Sequence, residues 1–304
     1  MSAVTPAVDA GELTIIVPVF NRDEPLRRAI ASIGRQSGPL SIIIVDDGSS
    51  PDFAGIVDEI ALTVDGEVRV VHQTNRGAAP ARNRGLALCR TPFVMFLDSD
   101  DELTDTALDT IEKHLFGRSE VGMVCGAVHV VRQDGSRNVS YPDASAGVPW
   151  ARLSHLAGSF AVRTDLALAV GGYDETLSLS ENTDFILRLA EACRNRSLEV
   201  AATDDVLCIY NRRDGTGVRY AAQCLDAAIH LLRRGRFDLD HPTERARLHA
   251  IAAVNAGRLG RYPLSVKHAA LAARTEPRHA RNFGRLALSL TGPLARRRWS
   301  RKAD

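Results

Sequence analysis

The chain lacks what would mark it as disulfide-stapled, zinc-held or membrane-spanning. Its five cysteines, Cys89, Cys125, Cys193, Cys208 and Cys224, are scattered, odd in number and form no Cys-x-x-Cys pair. That argues against a disulfide framework and a structural zinc site, and fits a reducing compartment. Residues 1–11 carry neither a basic nor an apolar segment, so no secretory signal is expected. No apolar run approaches the roughly 18–20 residues needed to cross a bilayer. A cytoplasmic protein, at most peripheral at the inner face of a membrane, is the expectation. Glycine is missing from the first strand–helix loop, Pro18 to Glu24, which excludes a dinucleotide fingerprint or a P-loop there. A nucleotide would have to be held by side chains and a metal instead of a Gly-rich nest.

What is present is an ordinary globular composition: 304 residues, 45% hydrophobic and 25% charged, with a formal net charge of +1. The total hides an asymmetry. Residues 1–110 hold 9 Lys/Arg against 17 Asp/Glu, a net of −8, and residues 219–304 hold 18 against 6, a net of +12. The basic part suits either a solvated helical surface or contact with a membrane surface or a protein. No nucleic-acid partner is expected.

Short β-branched runs alternate with helical periodicity through the first third of the chain. Strands are predicted at Leu13–Phe20, Ile42–Val45, Val68–Val71 and Phe93–Leu97, with helices between them, one carrying Leu26, Ala29, Ile30 and Ile33. This alternation predicts βαβ units and a mainly parallel sheet. Ligands of such sheets bind beyond the carboxyl ends of the strands. The polar clusters Asn21–Asp23, Asp46–Ser50, Asn75–Arg76 and Asp98–Asp101 all fall there, so they should converge on one crevice. Further on, a hairpin is predicted at residues 121–141, short helices at 164–170 and 183–192, and a late strand at 206–210. From about Tyr220 the chain reads as helical, at roughly 220–234, 243–258, 263–275 and 279–290. The expected organisation is a tail at 1–12, an α/β domain at 13–218 and a helical region at 219–304.

Asp98-Ser99-Asp100-Asp101 carries the chemistry. Two carboxylates spaced i, i+2 after a buried strand can aim oxygens at one hard cation such as Mn²⁺ or Mg²⁺, with substrate phosphates completing the shell. The competing reading is a helix N-cap for a helix starting near Leu103 or Thr104.

In order and spacing these segments resemble family 2 glycosyltransferases of the GT-A fold. The carriers are Ile16-Val17-Pro18-Val19-Phe20-Asn21, Val45-Asp46-Asp47-Gly48-Ser49, Asn75-Arg76-Gly77 with Ala81-Arg82-Asn83-Arg84-Gly85, Phe96-Leu97-Asp98-Ser99-Asp100-Asp101 and Gly171-Gly172-Tyr173-Asp174. The resemblance covers roughly residues 13–215. It implies a GT-A type Rossmann-like sheet flanked by helices, and inverting transfer of a sugar from a nucleotide-sugar, uridine- or thymidine-linked, to a hydroxyl acceptor. That acceptor would be a glycan, a lipid-linked sugar or a small molecule. Pro18, Val19, Phe20, Asn21, Asp47, Arg82, Asp98 and Ser99 would bind the donor nucleotide, and Asp98 and Asp100 the metal. Competing roles are a turn residue for Asp47 and a helix-surface position for Arg82.

Two departures from the family pattern stand out. The family usually places Glu-Asp before the helix near residue 183, the Asp being the base. Here Glu181-Asn182-Thr183-Asp184 puts an amide, Asn182, at that position. An amide cannot take a proton at neutral pH, so Glu181, preferred, or Asp184 would take over. The family also often has an Arg and a His after the late strand, whereas here Arg212 and Arg213 stand without a His. Either could hold the leaving diphosphate, guanidinium forks fitting phosphate well, with a solvated basic loop as the competing reading. A catalytically silent nucleotide-sugar binder and a nucleotidyltransferase are the alternatives. In the helical region, Gly260, Tyr262, Ser265, Ala272 and Pro277 are similar to half of a tetratricopeptide repeat. The apolar stretch Leu286–Leu294 followed by Arg296, Arg297, Arg298 and Trp299 could anchor a helix at an anionic membrane surface, and a disordered basic tail explains the end equally well.

Overall fold

The computed structural model describes residues 11–63, 66–142, 156–177, 179–211, 217–234 and 242–300. They fall into two compact units, one comprising residues 1–175 and 181–212, the other residues 176–180 and 213–304.

The first unit is built on one mixed sheet. Four strands, β1 (Leu13–Val19), β2 (Ser41–Asp46), β3 (Glu67–His72) and β4 (Phe93–Phe96), pair in parallel in the order β3-β2-β1-β4. They are joined through the helices α1 (Asp23–Gly34), α2 (Pro51–Ala61) and α3 (Ala78–Leu86). Beyond β4 the sheet continues through β8 (Phe160–Arg163), β6 (Val121–Val131), β9 (Glu199–Asn211) and β5 (Glu102–Leu103), and β7 (Arg137–Ser140) pairs with β6. This half is mixed: β4–β8, β6–β8, β6–β7 and β5–β9 are antiparallel, and β6–β9 is parallel. The parallel expectation thus holds for the first half. In the second half hairpins and short returns replace βαβ crossovers, and those returns reverse the chain.

Alternation along each strand explains why both faces are covered. Leu13, Ile15, Val17 and Val19 of β1, Ile42 and Ile44 of β2, and Phe93 and Met95 of β4 pack with α1, α2 and α4 (Ala107–Leu115) through Leu26, Ile30, Val57 and Ile111. The residues between them, Ile16, Ile43, Val45, Val94 and Phe96, face the other way, toward Ala81 and Leu86 of α3, Leu166 of α5 (Thr164–Ala169) and Phe185 of α6 (Glu181–Asn195). Successive strand side chains point to opposite faces, so a near-continuous apolar strand serves two cores. Two short strands, β5 and β8, are not legible in the sequence, and the helix expected near Leu103 begins only at Ala107, with Thr106 at its N-cap. Asp100 and Asp101 therefore do not cap it.

The second unit holds α7 (Gly217–Arg234), α8 (Pro242–Arg258), α9 (Tyr262–Thr275), α10 (Ala280–Leu290) and α11 (Pro293–Ser300). Leu225, Leu231, Leu248, Ala252 and Ala256 form its core. Alanines and Gly257 let the helices approach closely. A Cβ on Gly257 would lie 2.0 Å from the Trp299 ring. Trp299 is accordingly buried, which corrects its expected role as a membrane anchor. No helix among the described residues is long and apolar enough to cross a membrane.

Candidate active site

The four polar clusters at the strand ends are tied to one another. After β1, the Asn21 N–H donates to Ser49 Oγ at 2.9 Å, and Asn21 Oδ1 accepts from the Ser50 N–H at 2.9 Å. Asn21 holds a positive φ of 48°, which its short polar side chain tolerates. After β2, buried Asp47 reaches the loop after β3. Its Oδ1 accepts from Gln73 Nε2 at 2.8 Å and from the Arg76 N–H at 2.9 Å, and its Oδ2 accepts from the Gly77 N–H at 2.7 Å. Asp46 beside it accepts from the Ser49 N–H at 3.1 Å and meets His72 Nδ1 at 3.0 Å. That hydrogen bond to Asp46 raises the His72 pKa, burial working against it. Gly48 makes the tight turn, since its φ is +78° and a Cβ would sit 2.5 Å from the Asn75 nitrogen. Finally, Arg22 Nη1 lies 2.6 Å from Asp100 Oδ2, joining the first loop to the fourth.

A second network crosses the crevice at Arg82. Far from lying on a helix surface, Arg82 is fully buried. Its Nη2 donates to Asp98 Oδ1 at 2.5 Å and its Nη1 to Glu181 Oε1 at 3.0 Å. Its guanidinium lies over the Tyr173 ring, 5.0 Å from the centroid. Burial alone would disfavour the charge, but Asp98 and Glu181 outweigh it and raise the pKa. Below it, Tyr173 stacks on Phe185 with centroids 4.2 Å apart, and Phe96 meets both rings edge-on. Asn83 clamps this segment. It donates through Nδ2 to the Tyr173 carbonyl at 2.9 Å and to Glu175 at 3.0 Å, and accepts the Tyr173 N–H at 2.7 Å. Gly172, at φ +67°, leaves Asn83 that space.

The acidic end of β4 splits into distinct positions. Asp98 and Asp100 are partly exposed, with 28% and 17% of their side chains accessible. Ser99 and Asp101 are buried. Burial and the neighbouring charges of Asp98 and Asp100 push Asp101 up to about 9, against the Asn211 N–H that it accepts at 2.9 Å. Asn211 Nδ2 donates to the Asp100 carbonyl at 2.8 Å, so the last residue of β9 fixes this turn. No group of three or more His, Cys, Asp or Glu able to hold a metal occurs among the described residues. Asp98 and Asp100 supply two hard oxygen donors at the crevice, the set that leaves a cation reliant on substrate phosphates. On donor chemistry the residues fit a divalent cation.

The remaining expected site residues separate clearly. Phe20 is exposed at the crevice edge, 45% accessible. Pro18 and Val19 are buried in β1. Val19 packs in the core and its carbonyl accepts the Asp47 N–H at 2.8 Å, so its expected direct contact is corrected to a supporting one. Glu181 opens α6 beside Arg82. Asn182 Oδ1 is buried without a hydrogen-bond partner among the described residues. Asp184 is buried and bonded to Arg188 Nε at 2.7 Å, and Arg188 in turn donates to the Val170 carbonyl. That corrects the expectation for Asp184, whose carboxylate is taken up in the packing of α6 on α5. Arg212 and Arg213 lie outside the described residues. Sequence reasoning missed Arg22 and Asn211 as partners of the Asp98–Asp101 turn, although both stand in polar stretches at strand ends.

Comparison with known proteins fits this geometry. The model of glycosyl transferase family 2 matches residues 14–173, just over half of the chain. A pre-mycofactocin glycosyltransferase of Mycobacterium tuberculosis is 32% identical over 197 residues, 60% of this chain and 39% of that protein. The chain thus spans well under half the length of this relative. Among solved structures, S. aureus TarS 1-349 in complex with UDP-GlcNAc superposes with a TM-score of 0.58 at 17% identity, covering 96% of this chain and 91% of that one. The mannosyltransferase PcManGT of Pyrobaculum calidifontis, in complex with GDP-Man and Mn²⁺, superposes with a TM-score of 0.59 at 20% identity, covering 97% and 84%. These structural likenesses carry the GT-A fold. The match of the family model over more than half of the chain shows that the chain belongs to glycosyl transferase family 2.

Proposed function

We propose that the chain transfers a glycosyl group from a nucleoside-diphosphate sugar to a hydroxyl acceptor, with inversion at the anomeric carbon. The observation that carries this reading is the linkage of the four strand-end loops into one crevice, with Arg82 drawing Asp98 and Glu181 to its wall. Phe20 and Asn21 border the nucleoside. Asp47 accepts from the base through the lone pairs that its loop contacts leave, a carboxylate having about four such sites. A base with a ring N–H, uracil or thymine, answers that acceptor. Asp98, with Ser99 behind it, faces the ribose and diphosphate.

Asp98 and Asp100 would hold Mn²⁺ or Mg²⁺, and such a cation would supply positive charge for the leaving diphosphate. Arg22, paired with Asp100, stands at the same edge of the crevice and would meet a phosphate of the donor. Arg212 or Arg213 offers a further guanidinium to the same diphosphate. Glu181 takes the proton from the acceptor hydroxyl, since Asn182 has no basic site and Asp184 is committed to Arg188. Arg82 orients Glu181 by one oxygen, leaving the other for the acceptor. The acceptor is a glycan, a lipid-linked sugar or a small hydroxyl compound, and the basic helices offer contact to a membrane or protein that carries it.

The test is release of free nucleoside diphosphate from a panel of donors with Mn²⁺ or Mg²⁺. Glu181→Gln should slow turnover by about 10²–10⁴-fold with donor affinity little changed. If no donor is turned over and Asn182→Asp creates activity, the natural protein is a silent nucleotide-sugar binder.

A further inference from the structure

The helical unit carries a groove of 640 Å³ lined by none of the residues assigned to the transfer chemistry. Arg258 from α8, Arg281 and Arg285 from α10 and Arg298 from α11 line it, and no carboxylate of the described residues does. Two of these arginines have neutral partners. Arg258 Nε donates to the Trp299 carbonyl at 3.2 Å, and Arg285 Nη1 donates to Asn282 Oδ1 at 2.9 Å. None of the four has an ion pair among the described residues. Four like charges line one groove from three helices with no counter-charge among the described residues, and a concave wall focuses their field.

The volume lies within the range of small-molecule sites. Its apolar lining comes from Val254, Leu288 and the buried Trp299. Gly284 leaves one wall bare, since a Cβ there meets nothing within 4 Å. One carboxylate would neutralise a single guanidinium and leave three. A diphosphate carries several charges, and its oxygens fit guanidinium forks bidentately. We infer that this groove binds a diphosphate-bearing ligand with an apolar substituent, the phosphates on the arginines and the apolar part on Trp299 and Leu288.

Calorimetric titration of the full chain tests this, with divalent cations chelated to silence metal-dependent nucleotide binding. The probes are inorganic pyrophosphate, geranyl diphosphate and phosphatidylglycerol vesicles. Geranyl diphosphate should bind at least tenfold more tightly than pyrophosphate. Gly284→Glu and Arg281→Glu, both at accessible positions on α10, should each weaken it tenfold or more while leaving the circular dichroism spectrum unchanged. Binding of the vesicles with the same sensitivity to both variants would make a lipid headgroup the source, and loss of soluble binding only would make it a free diphosphate. Absence of binding by either soluble diphosphate overturns the inference. So does binding that both variants leave intact, or that Asp100→Asn removes instead.

Discussion

Replacing Arg82 by Met should destabilise the first unit more than any surface substitution. Met fills most of the stem's volume over Tyr173 but removes the charge shared by Asp98 and Glu181. Breaking a buried ion pair by deleting one partner costs about 3–5 kcal/mol. Here Arg82 is buried but its partners keep 28% and 17% of their side chains accessible, so the orphaned carboxylates can partly rehydrate. The expected loss therefore falls at or below the low end of that range, about 2–3 kcal/mol. For a unit of this size that lowers the melting temperature by about 5–10 °C. Near-ultraviolet circular dichroism reports on it directly, because Tyr173, Phe96 and Phe185 form the ring cluster beneath the guanidinium. Arg82→Lys, which keeps the charge but cannot fork to both carboxylates, should fall between. Neutralising the partners as well, in Arg82→Met with Asp98→Asn and Glu181→Gln, should recover most of the loss, since no unpaired charge remains. A melting temperature for Arg82→Met within about 1–2 °C of wild type would refute the reasoning.

Three further outcomes are expected. Asp100→Asn should abolish the Mn²⁺ dependence of nucleoside diphosphate affinity while the fold is kept, and calorimetry with and without the cation reads it; unchanged dependence would remove the metal assignment. Gly48→Ala forces a side chain into positive φ and against the Asn75 backbone, so it should cost about 1–3 kcal/mol in chemical denaturation and weaken donor binding by loosening the Asp47 loop. His249 and His268 share a 2.9 Å Nδ1–Nδ1 contact in the helical unit, where burial, then the partner imidazole, then Arg245 and Lys267 lower His249 to about 4. Burial and Lys267 lower His268 too. The unfolded chain then binds protons first, so stability is full above about pH 6.5 and falls as the pH drops toward 4. Thermal melts across that window should show the decline, and His249→Gln should flatten it.

Much of the first unit is legible in the order of its amino acids, for a physical reason. Each parallel strand is a short β-branched run buried on both faces, as Ile42 to Val45 is, and such runs announce themselves locally. The crevice is legible for the same reason: polar clusters that directly follow those runs must sit at the carboxyl edge of the sheet. Short strands such as β5 and β8 carry no comparable signal, because their pairing partners, β9 for one and β4 and β6 for the other, lie far away in the chain. Side-chain roles are harder still. Arg82 reads like any helical arginine, and only packing of α3 on β1 and β2 buries it between Asp98, 16 residues on, and Glu181, 99 residues on. Asp184 and Glu181 are both acids in one helical turn, yet the rotation of α6 on the ring cluster sends the first to Arg188 and the second to the crevice. Residue type and spacing suffice where structure is set by neighbours along the chain. Where a charge is buried, and by which partner it is held, depends on contacts between distant segments that exist only after folding.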